Sequence, residues 1–94
     1  MLTITTGADQ ELILEGRFDA AQVDKAREFF DGVSGAQVVD FEKLDYISSA
    51  GLGVLLATQK RLMGQGHGLK LVKVQSHIRD VFHFSGFDQI FEIE

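Results

Sequence analysis

The stretch Val38-Val39-Asp40-Phe41-Glu42-Lys43-Leu44-Asp45-Tyr46-Ile47-Ser48-Ser49-Ala50-Gly51-Leu52-Gly53-Val54-Leu55-Leu56 changes its hydrophobic rhythm half-way, and that change decides the fold. Val38 to Phe41 is a β-rich apolar segment with few polar interruptions, the pattern of a central strand covered on both faces. The chain then leaves the strand, crosses a short loop and enters a helix predicted from about Gly51 to Met63, with Leu52, Leu55, Leu56, Leu62 and Met63 on or near one face. A strand handing over to an apolar-faced helix is the start of a crossover, and crossovers give parallel neighbours with helices packed on the sheet.

The same change of period recurs on both sides. Upstream, Leu2 and Ile4 alternate with threonines, Gly7-Ala8-Asp9 breaks the run, and Glu11-Leu12-Ile13-Leu14 follows as a second, more buried strand. Asp19 is a good N-cap with Gln22 three residues on, as in a capping box, and Val23, Ala26 and Phe30 repeat at helical spacing until Gly32 and Gly35 stop the helix. Downstream, Gly64-Gln65-Gly66-His67-Gly68 ends the second helix and leads into a strand from Leu69 to Val74. Ser76 is placed to cap a short third helix carrying Ile78, Val81 and Phe82, which Gly86 closes before a last strand over Ile90-Phe91-Glu92-Ile93. The predicted class is α/β, in the order β-β-α-β-α-β-α-β, with a mixed, mostly parallel sheet of four to five strands. Residues 1–94 carry no internal repeat and no linker, so they are expected to form one domain.

Composition removes several functions. The chain is 45% hydrophobic and 24% charged, enough apolar side chain to fold and too little net charge for disorder. With no cysteine there is no disulfide, no thiolate nucleophile and no Cys-ligated metal. The longest nearly apolar run, Ala50 to Ala57, falls far short of the roughly 20 residues of a membrane span. Met1-Leu2-Thr3-Ile4 turns polar at once, so no signal peptide is expected and a cytoplasmic location is. A formal charge of −5 argues against nucleic acid and leaves a protein or a small molecule as partner.

Chemistry is concentrated where the second helix begins. A serine at an N-cap satisfies free backbone N–H groups, which explains one of the pair Ser48-Ser49. The small residues Ala50-Gly51 that follow leave the helix start open to another molecule. Helix N-termini carry about half a positive charge and free donors, so a serine there can hold a phosphate stably. Enzymatic alternatives lack their parts. Ser48-Ser49-Ala50-Gly51 is not a Gly-x-Ser-x-Gly elbow and has no histidine near it in sequence. His67, His77 and His83 lack the i, i+4 spacing of a helical metal pair, and Gly51-Leu52-Gly53 lacks the third glycine of a dinucleotide loop. In Gly64-Gln65-Gly66-His67-Gly68-Leu69-Lys70, Leu69 stands where a phosphate-binding Walker loop needs glycine before lysine. No enzyme activity, metal or cofactor is therefore expected, and Phe29, Phe30, Phe82, Phe84 and Phe87 are read as core.

The block Leu44-Asp45-Tyr46-Ile47-Ser48-Ser49-Ala50-Gly51-Leu52-Gly53-Val54-Leu55-Leu56 resembles the signature of bacterial anti-sigma factor antagonists of the STAS-domain family. Leu14-Glu15-Gly16-Arg17-Phe18-Asp19 resembles that family's second-strand-to-first-helix element, and Val81-Phe82-His83-Phe84-Ser85-Gly86-Phe87-Asp88 the end of its third helix. The resemblance covers essentially the whole chain. It implies a domain that binds an anti-sigma factor which is also a serine kinase, that is released by phosphorylation of one serine at the second helix, and that is reset by a PP2C-type phosphatase. Aligned on Gly51-Leu52-Gly53, the acceptor falls on Ser49, with Asp19 and the helix start Ser48, Ser49, Ala50, Gly51 and Leu52 as implied partner contacts. The family often has aspartate immediately before the acceptor. Here that position is Ser48, which makes Ser48 a competing acceptor.

Overall fold

The computed structural model describes residues 1–94. Five strands form one sheet in the order β1-β2-β3-β4-β5: β1 (Leu2–Thr6), β2 (Leu12–Phe18), β3 (Gln37–Ile47), β4 (Leu69–Val72) and β5 (Glu92–Ile93). Helices α1 (Val23–Asp31), α2 (Ser49–Met63) and α3 (Ser76–Phe84) connect β2 to β3, β3 to β4 and β4 to β5, with short 3₁₀ turns at Ala20–Gln22 and Phe87–Gln89. β1 and β2 are antiparallel and every other pair is parallel, so the mixed, mostly parallel sheet and the predicted element order are both found.

Each crossover advances one strand in the same direction. With the usual right-handed connection, this puts all three helices on one face of the sheet. Burial follows: Leu12, Leu14, Phe18, Val39, Phe41, Leu44, Ile47, Leu69 and Leu71 are buried under the helices. Thr3, Glu15, Arg17, Lys43 and Tyr46 lie on the other face, in solvent. The expectation that β3 is covered on both faces is thus corrected, since Val38 is 37% exposed. A sheet wound in one direction has no helix left for its second face.

β3 also runs farther than predicted. No loop separates it from α2, because its second half remains paired with β2. The register moves from Leu12↔Val39 to Glu15↔Lys43 and then Arg17↔Tyr46, so β3 takes up an extra residue at each of two bulges. Its inward side chains are therefore Val39, Phe41, Leu44 and Ile47, a spacing that does not alternate and does not read as a strand.

Two capping expectations are corrected as well. Asp19 does cap, its Oδ1 accepting the Ala21 N–H at 3.2 Å, but Gln22 does not close a capping box. Gln22 Oε1 instead accepts the Leu2 N–H at 3.2 Å, and Lys25 Nζ donates to the Leu2 carbonyl at 2.6 Å. These side chains satisfy the outward-facing N–H and carbonyl of Leu2, at the start of the edge strand β1. At α3 the N-cap is Gln75, and Ser76 is the first helical residue. Gln75 Nε2 donates to the Glu42 carbonyl at 2.7 Å, tying α3 to the bulged part of β3. The last strand is shorter than predicted, because Ile90 still donates its N–H to Phe87 in the preceding turn.

The core is centred on Phe41, Phe82 and Phe91, with ring centroids 6.1 and 5.4 Å apart along that row. Burying a side chain of this size contributes about 1.5–3 kcal/mol. Phe30 and Phe82 are core as expected, Phe87 is half-buried, Phe29 is partly exposed, and Phe84 is 83% exposed.

Candidate functional site

The site begins where β3 stops. Ile47 is the last paired residue, and Ser48 turns the chain into α2 with extended backbone, φ −86° and ψ 168°. The Ser48 N–H donates to the Phe18 carbonyl at 2.9 Å, its Oγ accepts the Gly51 N–H at 3.1 Å, and its carbonyl accepts the Leu52 N–H at 2.9 Å. Ser48 is half-buried and its hydroxyl belongs to the cap. Ser49 is exposed, stands in the first turn, and its hydroxyl is not used by the cap. Helix α2 therefore starts at Ser49, two residues before the predicted Gly51, because Ser48 completes the turn that Gly51 was expected to open.

The implied contact residues divide. Ser49 and Ala50 are on the surface, Ser48 and Asp19 are half-buried, and Gly51 and Leu52 are inside. A Cβ on Gly51 would stand 2.9 Å from both the Phe18 ring and the Phe18 carbonyl. Glycine at this position lets α2 close onto the end of β2; it does not open the helix to a visitor. Leu52 is 3% exposed and belongs to the core. Gly51 and Leu52 are accordingly removed from the contact surface. Asp19 stays near it, since it follows Phe18, the residue bonded to Ser48.

Two other residues of α2, outside the implied contacts, lie on the surface beyond Ser49. Gly53 and Ala57 are exposed on α2, and a Cβ at Gly53 would meet nothing. With Ser49 they repeat at i, i+4, i+8, a spacing that could have found them. The outer face of α2 is thus almost bare backbone beneath Ser49. No acidic residue lies in the first turn of α2, while Lys60 and Arg61 stand in its last, so only the C-terminal end of the helix dipole is answered. An anion at Ser49 would gain from the other end by about 0.3–1 kcal/mol.

Around the helix start, the Asp45 carbonyl meets His77 Nε2 at 2.9 Å, and the Arg17 guanidinium stacks 4.3 Å over the Tyr46 ring. The predicted glycine-rich turn is far away, at the opposite ends of the parallel strands. There Gly66, His67 and Gly68, with Gln37, Gln59, Lys70 and Glu92, line an open cleft of about 530 Å³. Glu94, 2.6 Å from Lys70, holds the Lys70 ammonium above its ordinary pKa. His67, His77 and His83 occupy three separate places, His83 paired with Asp88 at 2.9 Å. No helix is long and apolar enough to cross a membrane.

Residues 1–92 match the family described as "Mlab, STAS domain". BtrV of Bordetella bronchiseptica, whose name describes an anti-sigma factor antagonist, is 43% identical over 74 residues; the match takes in 79% of this chain and 58% of BtrV. The chain therefore spans little more than half the length of that relative. A STAS-domain containing protein of Pseudomonas aeruginosa is 27% identical over 90 residues, covering 93% of this chain and 89% of its own. Among solved structures, the Bacillus anti-sigma factor antagonist SpoIIAA superposes in its unphosphorylated form with a TM-score of 0.75 at 21% identity, over 100% of this chain and 88% of SpoIIAA. Its phosphorylated form gives 0.70 at 20% identity, over 100% and 91%. At such identities the superpositions establish the fold.

Proposed function

The chain belongs to the STAS domain family, and on that premise we propose that it is an anti-sigma factor antagonist working by partner switching. Unphosphorylated, it binds an anti-sigma factor with serine kinase activity and so frees a sigma factor. Phosphate on Ser49 releases the partner, and a PP2C-type phosphatase resets the cycle. The chain is a binding module in the cytoplasm that regulates transcription, and its own residues carry out no catalysis.

The observation that carries this reading is the division of labour between adjacent serines. Ser48 closes the helix with its hydroxyl, and Ser49 presents a hydroxyl to solvent one residue later. The departure from the family's aspartate is thereby given a role, since Ser48 serves as cap. Further support comes from the name of BtrV and from the fact that SpoIIAA is known in unphosphorylated and phosphorylated forms.

The physics needs no change of fold. Phosphorylation adds about 1.5 to 2 negative charges and three acceptor oxygens. The α2 N-terminus tolerates that anion, whereas a partner lying flat on Ala50 and Gly53 meets both its charge and its volume. Each 1.4 kcal/mol of penalty weakens binding about tenfold. Incubating the protein with ATP and the anti-sigma factor kinase of the same cell, then locating the phosphate by mass spectrometry, tests the proposal.

A second reading, a STAS scaffold, accessory subunit or ligand sensor without a phospho-switch, is favoured by the open cleft at the other end of the sheet. Its volume of about 530 Å³ falls in the range that small molecules occupy. Absence of phosphate transfer from any cognate kinase would select it.

A further inference from the structure

The outer surface of the helical layer carries a feature that the switch at Ser49 does not explain. Between α1 and α2 lies a notch of about 180 Å³ lined by Arg27, Asp31, Val54, Ala57, Thr58 and Arg61. Thr58 is buried and satisfied, its Oγ1 donating to the Val54 carbonyl at 3.0 Å. Arg61 is half-buried and held in place by Nη2, which donates to the Phe30 carbonyl at 3.0 Å. Arg27 is exposed, and neither arginine forms an ion pair; the three in the structure join Lys70 to Glu94, Lys73 to Asp40 and His83 to Asp88. With Asp31 as the notch's one carboxylate, two guanidiniums leave a positive charge uncompensated on a chain whose net charge is −5.

We propose that this notch is the second anchor point of the partner interface and receives an aspartate or glutamate side chain of the anti-sigma factor kinase. The inference rests on the partner-switching function proposed above and adds the chemistry of the partner's surface. Ala57 belongs both to the notch and to the small-residue face that starts at Ser49. At 1.5 Å per residue, Ala57 lies roughly 12 Å along the helix from Ser49. A standard interface of about 800 Å² per partner is roughly 30 Å across and spans both points. Guanidiniums favour a carboxylate because their forked donors match its two oxygens. The face is therefore polar along its length: a site for new negative charge at the Ser49 end, and positive charge at the Arg27–Arg61 end. A partner seated on it meets one orientation, with its acidic side chain over the notch.

The test uses the purified kinase that transfers phosphate to Ser49, with binding measured at low and high salt beside the kinetics of phosphorylation. R27E should weaken binding about tenfold at low salt, with the loss shrinking as salt rises, and should raise KM for the kinase reaction with kcat nearly unchanged. D31N should change affinity in the opposite direction, tightening it, which local unfolding could not do. R27E should unfold slightly below the parent, because its new carboxylate stands at helical spacing from Asp24 and Asp31, and D31N at or slightly above it, because an acid is lost from the C-terminal end of α1. Parent affinity in R27E and D31N, alongside lost binding in S49D, would overturn the notch proposal and leave the Ser49 switch standing. If no kinase binds the parent chain, the switch falls and the notch with it.

Discussion

Ser48 donates its N–H to the carbonyl of Phe18 at 2.9 Å, and this one bond joins the end of β2 to the start of α2. Asp19 and Ser49, the residues next to the bonded pair, are thereby neighbours in the fold although 30 positions apart in the chain. The site is built on two strand ends and not on a loop, which explains why its geometry can be read without a partner present. Changes at the joint should therefore act on stability, and changes beside it on the proposed switch.

The joint itself is tested at Gly51. A methyl group there would stand 2.9 Å from the Phe18 carbonyl and ring, closer than a Cβ approaches a backbone oxygen. G51A should lower stability by about 1–3 kcal/mol, the range for overpacking, as measured by urea unfolding. A variant as stable as the parent would show that α2 is not seated on Phe18 as described.

The adjacent serines should separate cleanly. S48A removes a cap and should cost about 1 kcal/mol of stability while still accepting phosphate at Ser49. S49A should leave the unfolding midpoint nearly unchanged and abolish phosphate incorporation, and S49D should lose kinase binding. Equal destabilisation by S48A and S49A would contradict the assignment of the cap to Ser48.

At Gly53, folding and binding should move in opposite directions. The residue is exposed in mid-helix and a side chain would meet nothing, so G53Q should gain up to about 1 kcal/mol of stability through helix propensity. The same side chain stands on the face a partner would cover, and binding should fall at least about tenfold. Unaltered affinity would place the partner elsewhere.

The two phenylalanines of α3 offer an internal control on the core. F82A should lose about 3–5 kcal/mol, since Phe82 packs between Phe41 and Phe91 with no exposure. F84S should stay within about 0.5 kcal/mol of the parent, Phe84 being 83% exposed. Thermal or urea unfolding of both variants reads the difference directly.

Element order was legible because each passage from strand to helix changes the period of the apolar residues, as at Leu12–Leu14 against Val23, Ala26 and Phe30. The second half of β3 was not, because two bulges set Phe41, Leu44 and Ile47 three residues apart and mimic neither a strand nor a helix. One-sided coverage of the sheet was hidden too: Val38 and Val39 look alike in sequence, and only strand order leaves Val38 uncovered. Gln22 had a credible local partner in Asp19 and was taken by Leu2, 20 residues away. In the candidate site, local chemistry and resemblance single out Ser49 and Asp19, and the structure leaves Ser49 exposed and Asp19 half-buried next to Phe18. Gly51 was misassigned because smallness for packing and smallness for access look identical until Phe18 is in place. Gly53 and Ala57 carried a readable helical spacing from Ser49 that the motif itself overshadowed.

In the proposed switch, Ser49, one residue past the cap, is the group that changes state. The most direct measurement is the mass-spectrometric position of phosphate after incubation with ATP and the anti-sigma factor kinase of the same cell. One phosphate is expected, on Ser49, retained in S48A and lost in S49A; phosphate on Ser48, or a fully active kinase that leaves the chain unmodified, would overturn the switch.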